Sequence, residues 1–163
     1  YEKASESKHD LKHRQASPFR SFCTPNFLMN KEVMLNHPFD ESIKAYGYED
    51  VILGRTLEQH SITIQHIDNP ILICKFEDNK AYINKIKTAL TTLFYIQDKV
   101  QNHSQLVIAM HLIKRLHLTN LVSMALLLVQ NKLEKQLIYS KNPSLLLLKL
   151  YKIGFFISIQ KHQ

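Results

Sequence analysis

From Lys80 onward, apolar residues recur at helical spacing. Tyr82, Ile86, Ala89, Leu90, Leu93, Ile96 and Val100, with Gln97 among them, share one side of a 3.6-residue period, and Glu77-Asp78-Asn79 supplies acidic and capping residues at the entry. The pattern predicts a helix of about five turns. A second helical segment is expected over residues 104–117, a third over 120–137, and a fourth after the start signal Asn142-Pro143-Ser144. Upstream, residues 49–60 read as a helix that can bury Val51, Ile52, Leu53 and Leu57. Between these helices, Ser61-Ile62-Thr63-Ile64-Gln65-His66-Ile67 alternates apolar and polar positions and is rich in β-branched residues. That predicts a strand ended by Asp68-Asn69-Pro70, with a second short strand over residues 70–74. The expected fold is therefore an α/β segment followed by a mainly helical extension.

Crossing a bilayer needs roughly 20 apolar residues in a row. The longest apolar stretches here are broken by Lys149 and Lys152, or by Asn120, Ser123 and Gln130. Residues 143–159 admit two readings: a basic helix lying in a membrane interface with its lysines snorkelling, or a core helix whose leucines pack on its neighbours.

Charge divides the chain. Residues 1–20 carry a net +2, residues 21–79 a net −5 and residues 80–163 a net +10, within a total of +7. Four of the five prolines precede Asn79, which marks the change from an acidic, loop-rich segment to a basic, Leu/Ile/Lys-rich one. The lysines of the basic half stand singly among Leu, Ile and Phe. An anionic membrane surface is the expected partner of such a pattern, and a nucleic acid is not.

Composition narrows the chemistry further. Three glycines, Gly47, Gly54 and Gly154, cannot form the closely spaced phosphate loop of a dinucleotide-binding or P-loop enzyme. Two cysteines, Cys23 and Cys74, form no CxxC and at most one disulfide, so the expected setting is reducing and cytoplasmic. The opening residues lack the basic-then-apolar order of a signal peptide.

The densest chemical cluster is Phe39-Asp40-Glu41 followed by Tyr46-Gly47-Tyr48-Glu49-Asp50. Glu and Asp in the first turn of a helix lie at the positive end of its dipole, which favours their ionised forms. Such a carboxylate can take a proton from an incoming hydroxyl, while its neighbour, turned about 100° around the helix, holds the substrate. The same residues equally serve as ordinary N-terminal helix charges. Tyr46 and Tyr48 can stack on a sugar ring or anchor the loop to the core.

The run from Phe39-Asp40-Glu41 through Tyr46-Gly47-Tyr48-Glu49-Asp50 to Gly54 and Leu57, followed by His66-Ile67-Asp68-Asn69-Pro70 and Glu77-Asp78-Asn79, resembles the C-terminal half of a family 2 glycosyltransferase of the GT-A fold, of the bacterial polysaccharide type. Phe22-Cys23-Thr24-Pro25-Asn26-Phe27-Leu28 resembles the loop that precedes that segment, and the match covers roughly residues 19–100. The resemblance implies an acceptor-side part of a transferase domain over residues 1–100 and a basic helical region over 101–163. It implies Asp50 as the general base on the acceptor hydroxyl, with Glu49, Tyr46, Gly47, Tyr48, Asp40 and Asn26 binding the acceptor. The implied reaction is inverting transfer of a sugar, as by a hexosyltransferase, from a nucleotide-diphospho-sugar donor to a glycan or lipid-linked acceptor. The enzyme would be cytoplasmic, or peripheral on the inner membrane face.

The same resemblance implies a divalent cation, Mg or Mn, on the leaving diphosphate. The family's Asp-x-Asp element belongs to its N-terminal half, and no Asp-x-Asp occurs in this sequence. Ile73 stands where many members carry a metal-ligating His, which leaves His66 as the nearby residue with ligand chemistry. His9 and His13 share a helical spacing but lack a third ligand, and His111 and His117 lie among apolar helical positions. Cys23, without a His at useful spacing, reads as a packing residue. The competing readings are a non-catalytic helical interaction module, or a transferase remnant that has lost its donor half.

Overall fold

The computed structural model describes residues 10–72, 74–100 and 103–161. Its regular elements are helices: α1 (Leu11–Ala16), α2 (Lys31–Asn36), α3 (Glu49–Gln59), α4 (Asn79–Val100), α5 (Gln105–Arg115), α6 (Thr119–Tyr139) and α7 (Leu145–Lys161). The chain divides into two compact units. One comprises Ala45–Gly47 with Glu77–Gln163, the other Glu2–Lys44 with Tyr48–Phe76. Helix α4 thus groups with the three helices that follow it.

In the helical unit, α7 touches α4, α5 and α6. Leu148, Tyr151, Gly154, Phe156 and Ile157 of α7 are buried. Ile83 of α4 and Leu133 and Leu137 of α6 meet Leu148 and Tyr151 in one cluster. Fully burying each such side chain contributes about 1.5–3 kcal/mol, so the packing makes residues 143–159 a core helix rather than an interfacial one. A Cβ built on Gly154 would stand 2.3 Å from Gln130 Oε1 and 3.2 Å from Leu126 Cβ, so the missing side chain lets α6 lie close against α7.

The starts of these helices follow the capping residues in the sequence. Asp78 Oδ1 accepts from the Ala81 N–H at 2.7 Å, Ser104 Oγ from Val107 N–H at 3.4 Å, and Ser144 Oγ from Leu147 N–H at 3.4 Å. Asn79 does a second job at the far end of α6, its Nδ2 donating to the carbonyls of Ser140 at 2.9 Å and Ile138 at 3.3 Å.

In the other unit, α3 buries Ile52, Leu53, Gly54 and Leu57. Phe22, Leu53 and Leu57 form the centre of a cluster flanked by Phe19, Met29, Val33, Phe39, Ile62 and Ile64. A Cβ on Gly54 would lie 2.5 Å from the Phe19 carbonyl oxygen, which explains a glycine inside a helix. Helices α1 and α2, six residues each, are capped by Asp10 and Asn30, whose side chains accept from His13 N and Glu32 N.

The α/β expectation, and with it a GT-A fold, is overturned: among the described residues there is no strand and no sheet. Residues 61–67 keep the expected two-residue alternation, with Ile62, Ile64 and His66 half-buried and Ser61, Thr63, Gln65 and Ile67 exposed. They lack a ladder. The carbonyls of His66 and Ile67 are taken instead by side chains of α1, Gln15 Nε2 at 3.3 Å and Arg14 Nη2 at 3.3 Å. Alternating burial reports which side of a segment meets apolar neighbours; it does not report a second segment to share backbone hydrogen bonds. Residues 70–72 and 74 form no strand either, and Ile73 lies outside the described residues.

Two helices end alike. After α3, Ser61 (φ 55°) donates its N–H to Glu58 O at 3.0 Å and Ile62 donates to Leu57 O at 2.9 Å. After α5, His117 (φ 56°) donates to Lys114 O at 3.0 Å and Leu118 to Ile113 O at 3.0 Å. Both are Schellman turns in which Ser and His occupy the left-handed position that glycine fills most easily.

Candidate functional site

The run Tyr46-Gly47-Tyr48-Glu49-Asp50 crosses the division between the units: Tyr46 and Gly47 belong to the helical one, Tyr48, Glu49 and Asp50 to the other. Tyr46 is exposed, and the Lys85 Nζ sits 5.5 Å from its ring centroid. Its carbonyl accepts the buried Thr92 hydroxyl at 3.0 Å. Lys85 also pairs with Glu77. Gly47 has φ +110° and packs against Ala89 of α4, so both its backbone conformation and the space around it exclude a side chain.

Tyr48 is the residue before α3 and carries φ 71° with no side-chain cap. Its carbonyl accepts from Ile52 N at 3.0 Å, the first bond of the helix. For a bulky aromatic residue the left-handed region costs about 1–2 kcal/mol, and backbone strain of this kind concentrates at functional sites. Glu49 and Asp50 occupy the first turn of α3, as the sequence predicts.

Asp50 is half-buried and its Oδ1 accepts from Val51 N–H at 2.8 Å. Burial pushes its carboxyl above the usual carboxylate range; the Val51 N–H pulls the other way, and the neighbouring Glu49 charge adds to the rise. A carboxylate so placed holds a proton more firmly than an exposed one, which is the direction a general base requires.

Asn26 and Asp40 have structural work. Asn26 Nδ2 donates to the Asn69 carbonyl at 2.8 Å, tying the 22–28 loop to the turn at Asn69. Asp40 Oδ1 accepts from Ser42 N at 3.0 Å and Ser42 Oγ at 2.6 Å, closing a tight turn.

No group of three His, Cys, Asp or Glu able to hold a metal occurs among the described residues. His66 directs Nε2 at the Pro18 carbonyl, 3.0 Å away, and so donates a hydrogen bond there. Among the described residues, the side chains do not assemble a donor set that fits the implied divalent cation. His9 lies outside the described residues, while His13 Nδ1 pairs with Asp10 Oδ1 at 2.7 Å. Cys23 is exposed as a residue rather than packed away, yet its thiol is partly desolvated, and that desolvation and then the Asp50 charge push its pKa up, against a nucleophilic role. A surface groove lined by Ala16, Ser17, Pro18, Phe19, Arg20 and Glu58 lies at the other end of α3 from Asp50.

No family model, no curated protein and no solved structure matches this chain. No helix among the described residues is long and apolar enough to cross a membrane.

One polar cluster is missed by sequence reasoning. Glu134 of α6 accepts from Lys87 Nζ of α4 at 2.6 Å and from the fully buried Tyr151 hydroxyl of α7 at 2.8 Å. The signal was available: Glu134 is the lone acidic residue after Asp98, and an isolated carboxylate amid leucines and lysines calls for partners.

Proposed function

We propose that this chain supplies the acceptor-binding part of a glycosyl transfer reaction, with Asp50 as its general base. The acceptor hydroxyl oxygen attacks the anomeric carbon of a nucleotide-diphospho-sugar, its proton passes to the Asp50 carboxylate, and the nucleoside diphosphate leaves with inversion. Glu49, one residue earlier on the first turn of α3, would hold the acceptor.

The observation that carries this reading is Asp50 itself: a half-buried carboxyl raised above its usual range, at the start of a helix entered through the strained Tyr48. It falls within the run of residues 39–57 whose sequence resembles the acceptor-side segment of family 2 glycosyltransferases. The experiment is a backbone-amide NMR titration with neutral and acidic oligosaccharides. Resonances of Tyr48, Glu49 and Asp50 should move together at sub-millimolar to millimolar ligand. Shifts absent there with every oligosaccharide would overturn the reading. A non-catalytic interaction module is the second reading, favoured by the outward apolar stripe on α6.

A further inference from the structure

Helix α6 is apolar on the side that faces away from its neighbours. Ser123, Leu133 and Leu137 face inward and are buried, and Gln130 and Leu126 lie against Gly154. The opposite side carries Leu121, Met124 and Leu128, which are 61%, 63% and 78% exposed. Their spacing of three and four residues stacks them in one line. The same line continues through Lys132 and Lys135 to Tyr139, all exposed. A core-packing helix normally sets its leucines inward and its lysines outward. Here both kinds face solvent in sequence along one stripe, about 27 Å long from Leu121 to Tyr139.

The surroundings of the stripe say what covers it. Residues 104–163 hold eight Lys or Arg against a single acidic residue, Glu134, and that one is engaged by Lys87 and Tyr151. Lys114 and Arg115, with exposed Leu116 and Leu118, lead into the turn just before the stripe. Exposed leucines flanked by cations, with no free carboxylate among them, complement a surface that is apolar inside and anionic at its face. A protein partner would need an apolar patch ringed by acids; an anionic phospholipid layer offers both at any position.

We infer that the α6 stripe, entered from the α5 end, docks the chain flat on an anionic phospholipid surface. Leu121, Met124 and Leu128 enter the acyl boundary, Lys132 and Lys135 meet the phosphates, and Tyr139 sits at headgroup level. This assigns the contact to α6 and not to α7, most of whose large apolar residues pack into the core. It is independent of the sugar-transfer reading, since the Asp50 segment contributes nothing to it.

The test is co-sedimentation of the whole chain with vesicles of phosphatidylcholine alone and with 30% phosphatidylglycerol. Binding should require the anionic lipid and weaken at least tenfold between low salt and about 0.5 M salt, where screening shortens to a few ångströms. Leu121→Ser with Met124→Ser and Leu128→Ser should reduce binding tenfold or more. Lys132→Glu with Lys135→Glu should abolish the preference for anionic vesicles. Leu146→Ser, an exposed leucine of α7 off the stripe, should bind like the parent. Substitutions at exposed positions are tolerated by the fold, and circular dichroism of each variant verifies this. Equal binding to neutral vesicles, no binding to either kind, or a stripe that instead drives self-association in sedimentation velocity would overturn the proposal.

Discussion

Gly47 lies so close to Ala89 that a Cβ on it would stand 2.7 Å from the Cβ of Ala89 and 3.0 Å from its Cα. With φ at +110°, the position is strained for any other residue even if α4 could give way. Gly47→Ala should destabilise the helical unit by about 2–4 kcal/mol, combining the backbone penalty with overpacking. Urea denaturation followed by far-ultraviolet circular dichroism measures this; a loss below about 0.5 kcal/mol would mean that the 45–47 segment detaches from α4 at little cost.

Asp50→Asn separates function from stability. In the native chain the Asp50 carboxyl holds its proton to higher pH than in the unfolded one, so ionising it on the way to neutral pH costs stability. The asparagine variant should unfold at slightly higher temperature than the parent at pH 7, with the difference shrinking as pH falls and Asp50 becomes protonated. On the proposed reading of Asp50 as general base, turnover by an enzyme containing this chain, followed as nucleoside-diphosphate release, should fall by about 10²–10⁴-fold. The acid limb of the parent's pH profile should lie above the ordinary carboxylate range.

Glu134 works in the opposite sense. Burial raises its carboxyl, but the hydrogen bonds from Lys87 and Tyr151 outweigh that and hold it below its usual 4.5. The stabilisation is fully present above pH 4.5 and is lost as pH falls through the lower native value. Glu134→Gln should therefore differ most from the parent at neutral pH and converge with it in acid. Tyr151→Phe should cost about 1.5–3 kcal/mol at pH 7, in keeping with a hydrogen bond to a charged group. Equal pH dependence of the Glu134→Gln variant and the parent would show that the cluster does not form in solution.

Ser61 and His117 sit in left-handed backbone at the ends of α3 and α5. Glycine avoids the crowding there but adds freedom to the unfolded chain. Ser61→Gly and His117→Gly should each stabilise by about 0.5–1 kcal/mol on balance. Thermal unfolding of the two single variants and the double checks both the sign and their additivity.

Helical periodicity located α3 to α7 to within about two residues, because apolar positions recur at helical spacing in them; Asp78, Ser104 and Ser144 also mark the starts of α4, α5 and α7, whereas α3 and α6 begin without a side-chain cap. The two short helices escaped because six residues cannot display a period, although Asp10 and Asn30 already marked their starts. The predicted strand failed for a different reason. Alternation in residues 61–67 is a property of one segment, whereas a sheet is a property of two. At the candidate site, the acidic turn of Glu49 and Asp50 was legible from the sequence. The left-handed Tyr48 was not, since nothing in an aromatic residue announces a conformation that glycine would adopt more easily. The α6 stripe was hidden because seven apolar residues in eight positions read as a core helix whichever way they face.

Tyr151 is one of seven tyrosines in a chain without tryptophan, and its hydroxyl is sealed against Glu134 inside the helical unit. Burial and that carboxylate drive its ionisation well beyond the ordinary tyrosine range. Tyr151 can release its proton only when α7 leaves its neighbours. Alkaline difference absorbance would thus contain a delayed component from the interior. The late component gives the chain an optical clock for the opening of its own core, with no label attached.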